Sequence, residues 1–536
     1  MTTESNLTSQ GVGGPGGKSQ GSRPARQGSL LSRWVGLIAG PLLAVAIYLL
    51  IPAETVNDVG ETVSGLGQPG RAVAAVGILM AVFWVTEALP IAATALIPIA
   101  LFPLLTGGDV TIRAATAPYA NNLIFLFMGG FILALTMQQW QLHRRIALRT
   151  ILIVGTRPAS LVAGFMIASA FLSMWVSNTA TVVMMLPIAL SVIELVRREL
   201  RARGDAHLPG EGEPFHFAIC LMLGTAYAAS IGGIGTLIGT PPNLLLAAFL
   251  KKEYDMEISF VTWMGVGLPL VIVFLPITWL MLTKIVYPIR LPAIPGERDF
   301  IKEQLERQGP MSRGEWLVLT VFIFTALAWI ARPVLVSLVF PGGWRPLASL
   351  SDAGIAIVAA VLAFAIPVDF KRGVFLLTWQ QAAKLPWGIL ILFGGGLSLA
   401  SAVKVTGVAE YIGRGVSGLH DPNVVLLILL ITTVVVFLTE LTSNTATTAT
   451  FLPILGAVAV GLGVSPALLV VPMAIAASCA FMMPVATPPN AIVFGSGELT
   501  IPQMCKAGFW LNLIGIGLVM LLMYGVAIHV LGIDLP

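Results

Sequence analysis

The sequence predicts an all-α polytopic membrane protein with about eleven transmembrane helices and two re-entrant helical hairpins. Of its 536 residues, 57% are hydrophobic and only 10% are charged, a much smaller charged share than soluble globular proteins have. Apolar runs long enough to cross a bilayer recur along the chain. The five residues SNTAT occur twice, at 177–181 and 443–447, inside otherwise apolar sequence.

The chain divides into a tail, two apolar halves and a linker. Residues 1–33 are rich in Gly, Ser and Gln, which predicts a disordered cytoplasmic tail. A first repeat, 34–283, and a second repeat, 314–536, are joined by a charged cytoplasmic linker, 284–313. We expect transmembrane helices near residues 34–51, 72–88, 92–106, 121–140, 216–250, 259–282, 315–338, 354–368, 385–403, 466–495 and 508–532.

The distribution of basic residues predicts the orientation in the membrane. Arg23, Arg26 and Arg33 precede the first apolar run, and cytoplasmic loops carry an excess of positive charge. The N-terminus is therefore expected in the cytoplasm and the chain in the cell membrane as a multi-pass protein. The net charge of +4 follows from these loops, so we expect no nucleic-acid partner.

The two SNTAT segments are predicted to be re-entrant hairpins. Residues 159–195 are flanked by arginines on both sides, so the segment is expected to enter and leave the membrane on the same face. Its roughly 37 residues suit two half-length helices, because a single span needs about 20. Residues 422–463 have a similar length and carry the same central motif, with SNT at the expected tip.

An internal repeat relates the two hairpins. Residues 171–188 and 437–454 are identical at 10 of 18 positions, and TPPN at 240–243 returns at 487–490. Five expected spans separate the hairpins, an odd number, so the second half should be inverted relative to the first. Inverted repeats with interrupted helices at matching places are typical of secondary transporters.

Each TPPN motif predicts a broken helix, because proline has no N–H group and cannot continue a helix. Irregular backbone at membrane depth is tolerated where it lines a cavity. Hydroxyls, amide oxygens and freed carbonyls would form a neutral oxygen cage for Na⁺, and half-helix N-termini would attract a carboxylate. No Lys or Arg occurs in 158–196, 204–250 or 415–505. An anion bound there would need co-bound cations, which is a physical basis for symport.

Other interpretations of these residues are open at this point. Ser, Thr and Gly also serve as close-packing residues in membrane helices, and this is the favoured interpretation for Gly129–Gly130 and Gly394–Gly396. For Glu440, beside the second tip, a structural hydrogen bond is favoured over a proton relay. The three cysteines and five histidines show no ligand spacing that would support a zinc or haem site.

Four segments carry a resemblance to a known family: SMWVSNTAT, SIGGIGTLIGTPPN, TELTSNTAT and ASCAFMMPVATPPNAIV. On these motifs the chain resembles the divalent anion/sodium symporters, which carry dicarboxylates, citrate or sulfate. The resemblance extends from the first expected span to the last. It implies a homodimer in which a scaffold domain holds an elevator-type transport domain containing both hairpins.

The resemblance also implies the ligands at this chain's own positions. The first sodium site would use Ser173, Ser177, Asn178 and the carbonyl of Gly239. The second sodium site would use Thr439, Ser443, Asn444 and the carbonyl of Ala486. The substrate would contact Asn178, Thr179, Asn444 and Thr445, with Thr487 and Pro488 nearby.

The leading hypothesis is sodium-coupled symport of a C4-dicarboxylate such as succinate. Alternatives within the family are a sodium-independent di- or tricarboxylate exchanger and a sulfate carrier. An intramembrane hydrolase using Ser177 or Ser443 is disfavoured, because no His, Asp or Lys lies near either serine in the sequence. A channel is disfavoured because tips that close a cavity do not form a continuous pore. We therefore predict a transporter rather than an enzyme.

Overall fold

The computed structural model describes residues 30–56, 62–155, 157–203, 213–291, 297–341, 343–417 and 423–533, and these are mostly helical. The elements of the first half are α1 (Leu30–Leu50), β1 (Thr55–Val56), β2 (Thr62–Ser64), α2 (Gln68–Thr86), α3 (Ile91–Thr94), α4 (Ile97–Leu105), α5 (Ile112–Thr116) with a 3₁₀ turn (Ala117–Ala120), α6 (Asn122–Gln139), α7 (Leu142–Val154), α8 (Pro158–Ser173), α9 (Asn178–Arg203), α10 (His216–Gly233), α11 (Pro241–Tyr254) and α12 (Phe260–Leu280) with a π-helical end (Met281–Val286).

The second half repeats this order of helices. Its elements are α13 (Glu297–Glu306), α14 (Arg313–Ser337), α15 (Asp352–Ala365), β3 (Pro367–Asp369), β4 (Val374–Phe375), α16 (Trp379–Ala382), α17 (Trp387–Val405), α18 (Val408–Ser417), α19 (Val424–Thr439), α20 (Asn444–Gly461), α21 (Pro466–Ala477), α22 (Pro488–Phe494) and α23 (Ile501–Leu522) with a π-helical end (Met523–Ala527), then α24 (Ile528–Leu531). The strands pair antiparallel, β1 with β2 and β3 with β4.

The prediction of an all-α polytopic membrane protein is confirmed. Among the described residues, ten helices are long and apolar enough to cross a bilayer. They are a different set from the eleven expected spans, because two of the ten are the second arms of the predicted hairpins, α9 and α20. The segments expected near 92–106 and 354–368 are only 15 and 14 residues long as helices, at 91–105 and 352–365. Prolines at positions 90, 98, 103 and 367 begin, interrupt or end them.

Some predicted boundaries differ from those in the structure. The tail expected over 1–33 lies largely outside the described residues, and α1 begins at Leu30, since a helix can extend beyond the hydrocarbon layer. The linker 284–313 contains α13, which packs on α7. The second arm of the first hairpin runs past residue 195 to Arg203 and exceeds the expected half length. Arginines in its last turn interact favourably with the helix dipole.

The two halves match element by element. Helices α2 to α12 correspond in order to α14 to α23, with the short pair α3–α4 matching α15. The correspondence extends to unusual details, since the last long helix of each half ends in a π-helical segment. The first helix, α1, precedes this repeated series and packs along α2. This repetition supports the internal repeat predicted from the sequence.

Matched glycines let each half pack closely on the other. A Cβ added at Gly129 of α6 would lie 2.6 Å from the carbonyl oxygen of Ala356 in α15. At the equivalent place in α17, a Cβ added at Gly395 would lie 2.4 Å from the carbonyl oxygen of Ala95. No side chain fits at such distances, so the close-packing interpretation of these glycines is confirmed.

A buried ion pair joins the two halves. The guanidinium of Arg145 in α7 donates to both carboxylate oxygens of Glu315 at 2.6 and 3.2 Å, and to the carbonyl of Gly309 at 3.0 Å. The two charged side chains are only 5% and 7% exposed. Glu315 also completes a capping box with Ser312, which begins α14. The pair therefore fixes the start of α14 against α7.

Arg145→Ala is expected to destabilise the protein by about 3–5 kcal/mol, because it leaves the Glu315 carboxylate buried without its cation. The measurement is the thermal unfolding temperature of the purified protein in detergent. The matched control is Arg144→Ala, whose side chain is half-buried and makes one side-chain hydrogen bond, 3.2 Å to Gln304. Equal unfolding temperatures for the two variants would contradict the proposed role of the pair.

Candidate functional site

The first SNT motif lies where two helices meet. Helix α8 ends at Ser173 and α9 begins at Asn178, so the motif forms the turn and the first residues of α9. The hydroxyl of Ser173 donates to Oδ1 of Asn178, and Oγ of Ser177 accepts from the backbone N–H of Ala180 at 3.3 Å. Residues 177–179 are half-buried. The turn therefore presents hydroxyl and amide groups at the N-terminus of a 26-residue helix.

The first TPPN motif follows a helix break in the protein interior. Helix α10, buried at almost every residue, ends at Gly233, and α11 begins at Pro241. The prolines begin the second helix, where a missing N–H costs no hydrogen bond. Nδ2 of Asn243 donates to the carbonyls of Gly233 at 3.1 Å, Ile234 at 3.2 Å and Thr236 at 2.7 Å. The Asn243 amide thus connects the break to the first turn of α11.

The first tip and the first break converge. A Cβ added at Gly233 would lie 2.7 Å from Oδ1 of Asn178 and 3.2 Å from the carbonyl oxygen of Gly239. These two oxygens therefore approach the same face of Gly233, and the hydroxyl of Ser173 contacts one of them. Carbonyl, amide and hydroxyl oxygens are the neutral ligands that a hard cation accepts in a dehydrated site.

The second tip repeats this construction. Helix α19 ends at Thr439 and α20 begins at Asn444, with Ser443 as the preceding cap residue. Oγ1 of Thr439 lies 2.7 Å from Oδ1 of Asn444 and 3.0 Å from the carbonyl oxygen of Ala477. Residues 443–445 are half-buried, as are their counterparts at the first tip.

Asn490, the asparagine of the second TPPN motif, holds the second break. Helix α21 ends at Ala477 and α22 begins at Pro488. Nδ2 of Asn490 donates to the carbonyls of Ala480 at 3.2 Å and Met483 at 3.1 Å, which occupy the positions equivalent to Gly233 and Thr236. Thr487 caps α22, accepting from the N–H of Asn490 at 3.3 Å, while Ala486 is buried and Pro488 exposed.

Glu440 is the main difference between the tips. Its Oε1 accepts from the N–H groups of Phe481 at 2.6 Å and Met482 at 2.8 Å, and its Oε2 accepts from Met483 at 3.0 Å. Nδ2 of Asn512 donates to Oε1 at 2.8 Å. The side chain therefore makes structural hydrogen bonds to the unwound backbone of the second break.

The two halves of the site are packed into each other. Helix α9 of the first hairpin contacts α22 after the second break, and α20 of the second hairpin contacts α11 after the first break. A bidentate ion pair, Arg197 with Glu498 at 2.8 and 2.5 Å, joins the end of α9 to the loop after α22. Both tips and both breaks thus belong to one packed unit.

Sequence reasoning singled out the tips and placed the breaks, but it left out several residues that hold them. Asn243 and Asn490 were visible in the TPPN motifs without an assigned role. Thr236, whose hydroxyl donates to the carbonyl of Met174 at 2.5 Å, and Asn512 in α23 had no sequence signal. Their partners lie 62 and 72 residues away.

The comparisons with known proteins agree with this architecture. The family model for the sodium:sulfate symporter transmembrane region matches residues 32–532. The sodium-dependent dicarboxylate transporter SdcS of Staphylococcus aureus is 42% identical over 519 residues, which cover 97% of this chain and 95% of SdcS. The crystal structure of the Alcanivorax borkumensis YdaH transporter has a similar fold, with a TM-score of 0.51, 16% identity and coverage of 92% and 97% of the two chains. The chain belongs to the sodium:sulfate symporter family.

Proposed function

We propose that this protein is a secondary active transporter of the cell membrane that couples sodium entry to uptake of a C4-dicarboxylate such as succinate. The observation that carries the proposal is the pair of matched tips, each placing a hydroxyl and an amide beside a helix break. The similarity to SdcS, described as a sodium-dependent dicarboxylate transporter, supports both the ion and the substrate class.

The first cation would bind among Ser173, Ser177, Asn178 and the carbonyl of Gly239. The convergence of the Asn178 and Gly239 oxygens on the face of Gly233 supports this set. The second cation would bind at the equivalent set, namely Thr439, Ser443, Asn444 and the carbonyl of Ala486. The hydrogen bond from Thr439 to Asn444 supports the second set.

The substrate would lie between the tips. Asn178 and Asn444 begin helices of 26 and 18 residues, and helix N-termini stabilise anions through free N–H groups and the helix dipole. Thr179 and Thr445 would add hydroxyl donors, with Thr487 and Pro488 nearby. No Lys or Arg occurs in either tip or either break. The anion would therefore depend on the bound cations for its charge balance.

The transport cycle would be of the elevator type in a homodimer. The hairpins, 159–195 and 422–463, with the two broken helices and α12 and α23, would form the moving domain. The remaining spans would form the scaffold, with the first half, 34–283, inverted relative to the second, 314–536, and the N-terminus in the cytoplasm. The mutual packing of the tips and breaks supports their movement as one body.

Uptake of radiolabelled succinate into proteoliposomes tests the function. We expect accumulation with an inward sodium gradient and a sigmoidal dependence on sodium, with little uptake in choline or potassium. Uptake that is independent of sodium but requires internal dicarboxylate would indicate an exchanger. Sodium-driven uptake of radiolabelled sulfate, with no uptake of succinate, would indicate a sulfate carrier. Either result would overturn the proposal.

Single-cysteine labelling tests the hairpins. In a variant lacking Cys220, Cys479 and Cys505, cysteines at Arg157 and Arg201 should both react with a membrane-impermeant maleimide from the cytoplasmic face only. Cysteines at residues 423 and 465 should both react from the external face only. Labelling of either pair from opposite faces would make that segment a full crossing and would contradict the inverted arrangement.

A further inference from the structure

The two halves of the proposed site, each consisting of a tip and a break, differ in charge. Residues 171–188, 230–243, 437–454 and 477–490 contain the tips and the breaks, and Glu440 is their only charged residue. It directly follows Thr439, the residue proposed to bind the second cation, and is 3% exposed. A carboxylate buried at this place needs compensation, because burying an unpaired charge is costly.

All hydrogen bonds of the Glu440 side chain are ones that its carboxylate oxygens accept. Its four partners in the structure, three backbone N–H groups and Nδ2 of Asn512, are all donors. A carboxylate accepts only, whereas a protonated carboxyl group would also donate. Among the described residues Glu440 forms no salt bridge with Lys or Arg. The N–H groups therefore solvate the charge without neutralising it.

The equivalent contact in the first half is neutral. Glu440 and Met483 of the second half correspond in the repeat to Met174 and Thr236 of the first. There the Thr236 hydroxyl donates to the Met174 backbone carbonyl, whereas in the second half the Met483 N–H donates to the Glu440 carboxylate. A hydrogen bond thus joins the same two positions in both halves, but only the one in the second half involves a carboxylate.

In the first break the backbone N–H groups after the helix end donate to backbone carbonyls of the same turn, and in the second break they do not. The N–H groups of Ile234 and Gly235 donate to the carbonyls of Ile231 and Gly232 within the turn. At the equivalent positions in the second half, the N–H groups of Phe481 and Met482 donate to Glu440. The shape of the second break therefore depends on a side chain from the second tip.

Fixing this backbone also fixes the proposed second cation site. Met483, held by Glu440 through its N–H, accepts from the N–H of Ala486 at 3.2 Å through its carbonyl. We propose that Glu440 is the positioning residue of the second cation site and that its charge makes this site bind sodium more tightly than the first. The inference rests on the proposed sodium-coupled function and deepens it by distinguishing the two sites.

Glu440→Gln tests the proposal in the full-length chain reconstituted in proteoliposomes. Removing the charge should raise the sodium concentration for half-maximal succinate uptake about tenfold. The succinate KM at saturating sodium should change less. In detergent without succinate, the rise in unfolding temperature caused by NaCl over choline chloride should shrink.

Asn512→Leu separates charge from structural support. It removes one hydrogen bond to Glu440 but keeps the charge, so the unfolding temperature should fall while the half-saturating sodium concentration changes less than about threefold. This variant keeps the proposal testable if Glu440→Gln does not fold. A large sodium shift in Asn512→Leu would overturn the proposal.

Two further outcomes would also overturn it. Glu440→Gln with reduced maximal uptake but an unchanged sodium curve would leave Glu440 a purely structural residue. If uptake by the parent protein depends on pH and uptake by Glu440→Gln does not, with an unchanged sodium curve, Glu440 would be a proton carrier. A parent protein without sodium-dependent uptake would instead refute the proposed function, so the two failures are distinguishable.

Discussion

Replacing Asn178 or Asn444 by alanine is expected to lower the apparent affinity for succinate by about tenfold to hundredfold and to shift the sodium dependence to higher concentrations. Losing a hydrogen bond to a charged group costs about 1.5–3 kcal/mol, which corresponds to this range. Each amide is proposed to contact both a cation and the substrate, so both dependences should change together. Initial rates of succinate uptake at varied sodium and succinate concentrations measure both.

The threonines beside them should show a smaller effect of the same kind. Thr179→Ala and Thr445→Ala remove a donor to the substrate only, so they should raise the succinate KM with little change in the sodium curve. If the motif serves packing, the pattern reverses: alanine is tolerated at all four positions and leucine is not. That pattern would refute the proposed site.

Matched controls lie on the same hairpins. Ser191 of α9 is exposed and Thr433 of α19 is half-buried, and their hydroxyls donate only to the carbonyls of Pro187 and Leu429 in their own helices. Ser191→Ala and Thr433→Ala should transport like the parent protein. A comparable loss in these variants would mean that the hairpins tolerate no change, and the effects at Asn178 and Asn444 would then not identify ligands.

Asn243→Ala and Asn490→Ala are expected to abolish sodium-dependent uptake and to lower the unfolding temperature. Each amide donates to buried carbonyls of a break, three for Asn243 and two for Asn490. An unsatisfied buried polar group costs about 1–3 kcal/mol, so Asn243→Ala should be the more destabilising. The carbonyl of Gly239 or Ala486 would also lose its fixed position. Thermal unfolding with and without NaCl, together with uptake, measures both effects.

Ser230→Ala provides the control for these two variants. Ser230 is buried in α10, close to the first break in sequence, and its hydroxyl has no hydrogen-bond partner among the described residues. Removing it therefore loses no bond. If Asn243→Ala unfolds at the same temperature as Ser230→Ala, the Asn243 amide does not hold the first break in place.

Much of the fold could be predicted because its causes are local. Apolar composition over about 20 residues makes a segment a membrane helix, and the prolines at 241–242 and 488–489 determine where broken helices resume. The repeated SNTAT placed two helix starts at equivalent positions, Asn178 and Asn444. Hydropathy located the segments expected at 92–106 and 354–368 to within three residues, but their helices, at 91–105 and 352–365, are shorter than the ten that are long enough to cross a membrane.

The sequence by itself therefore determined the class of protein, the two tips and the two breaks. The tertiary structure decided which groups hold them together, because those contacts join segments far apart in the chain. Glu440 reaches Phe481 across 41 residues and Asn512 across 72, and no local pattern encodes such a pairing. The repeat predicted two equivalent halves of the site. The tertiary structure makes them unequal, because the N–H groups of the first break donate to carbonyls of the same turn, whereas those of the second break donate to a buried carboxylate.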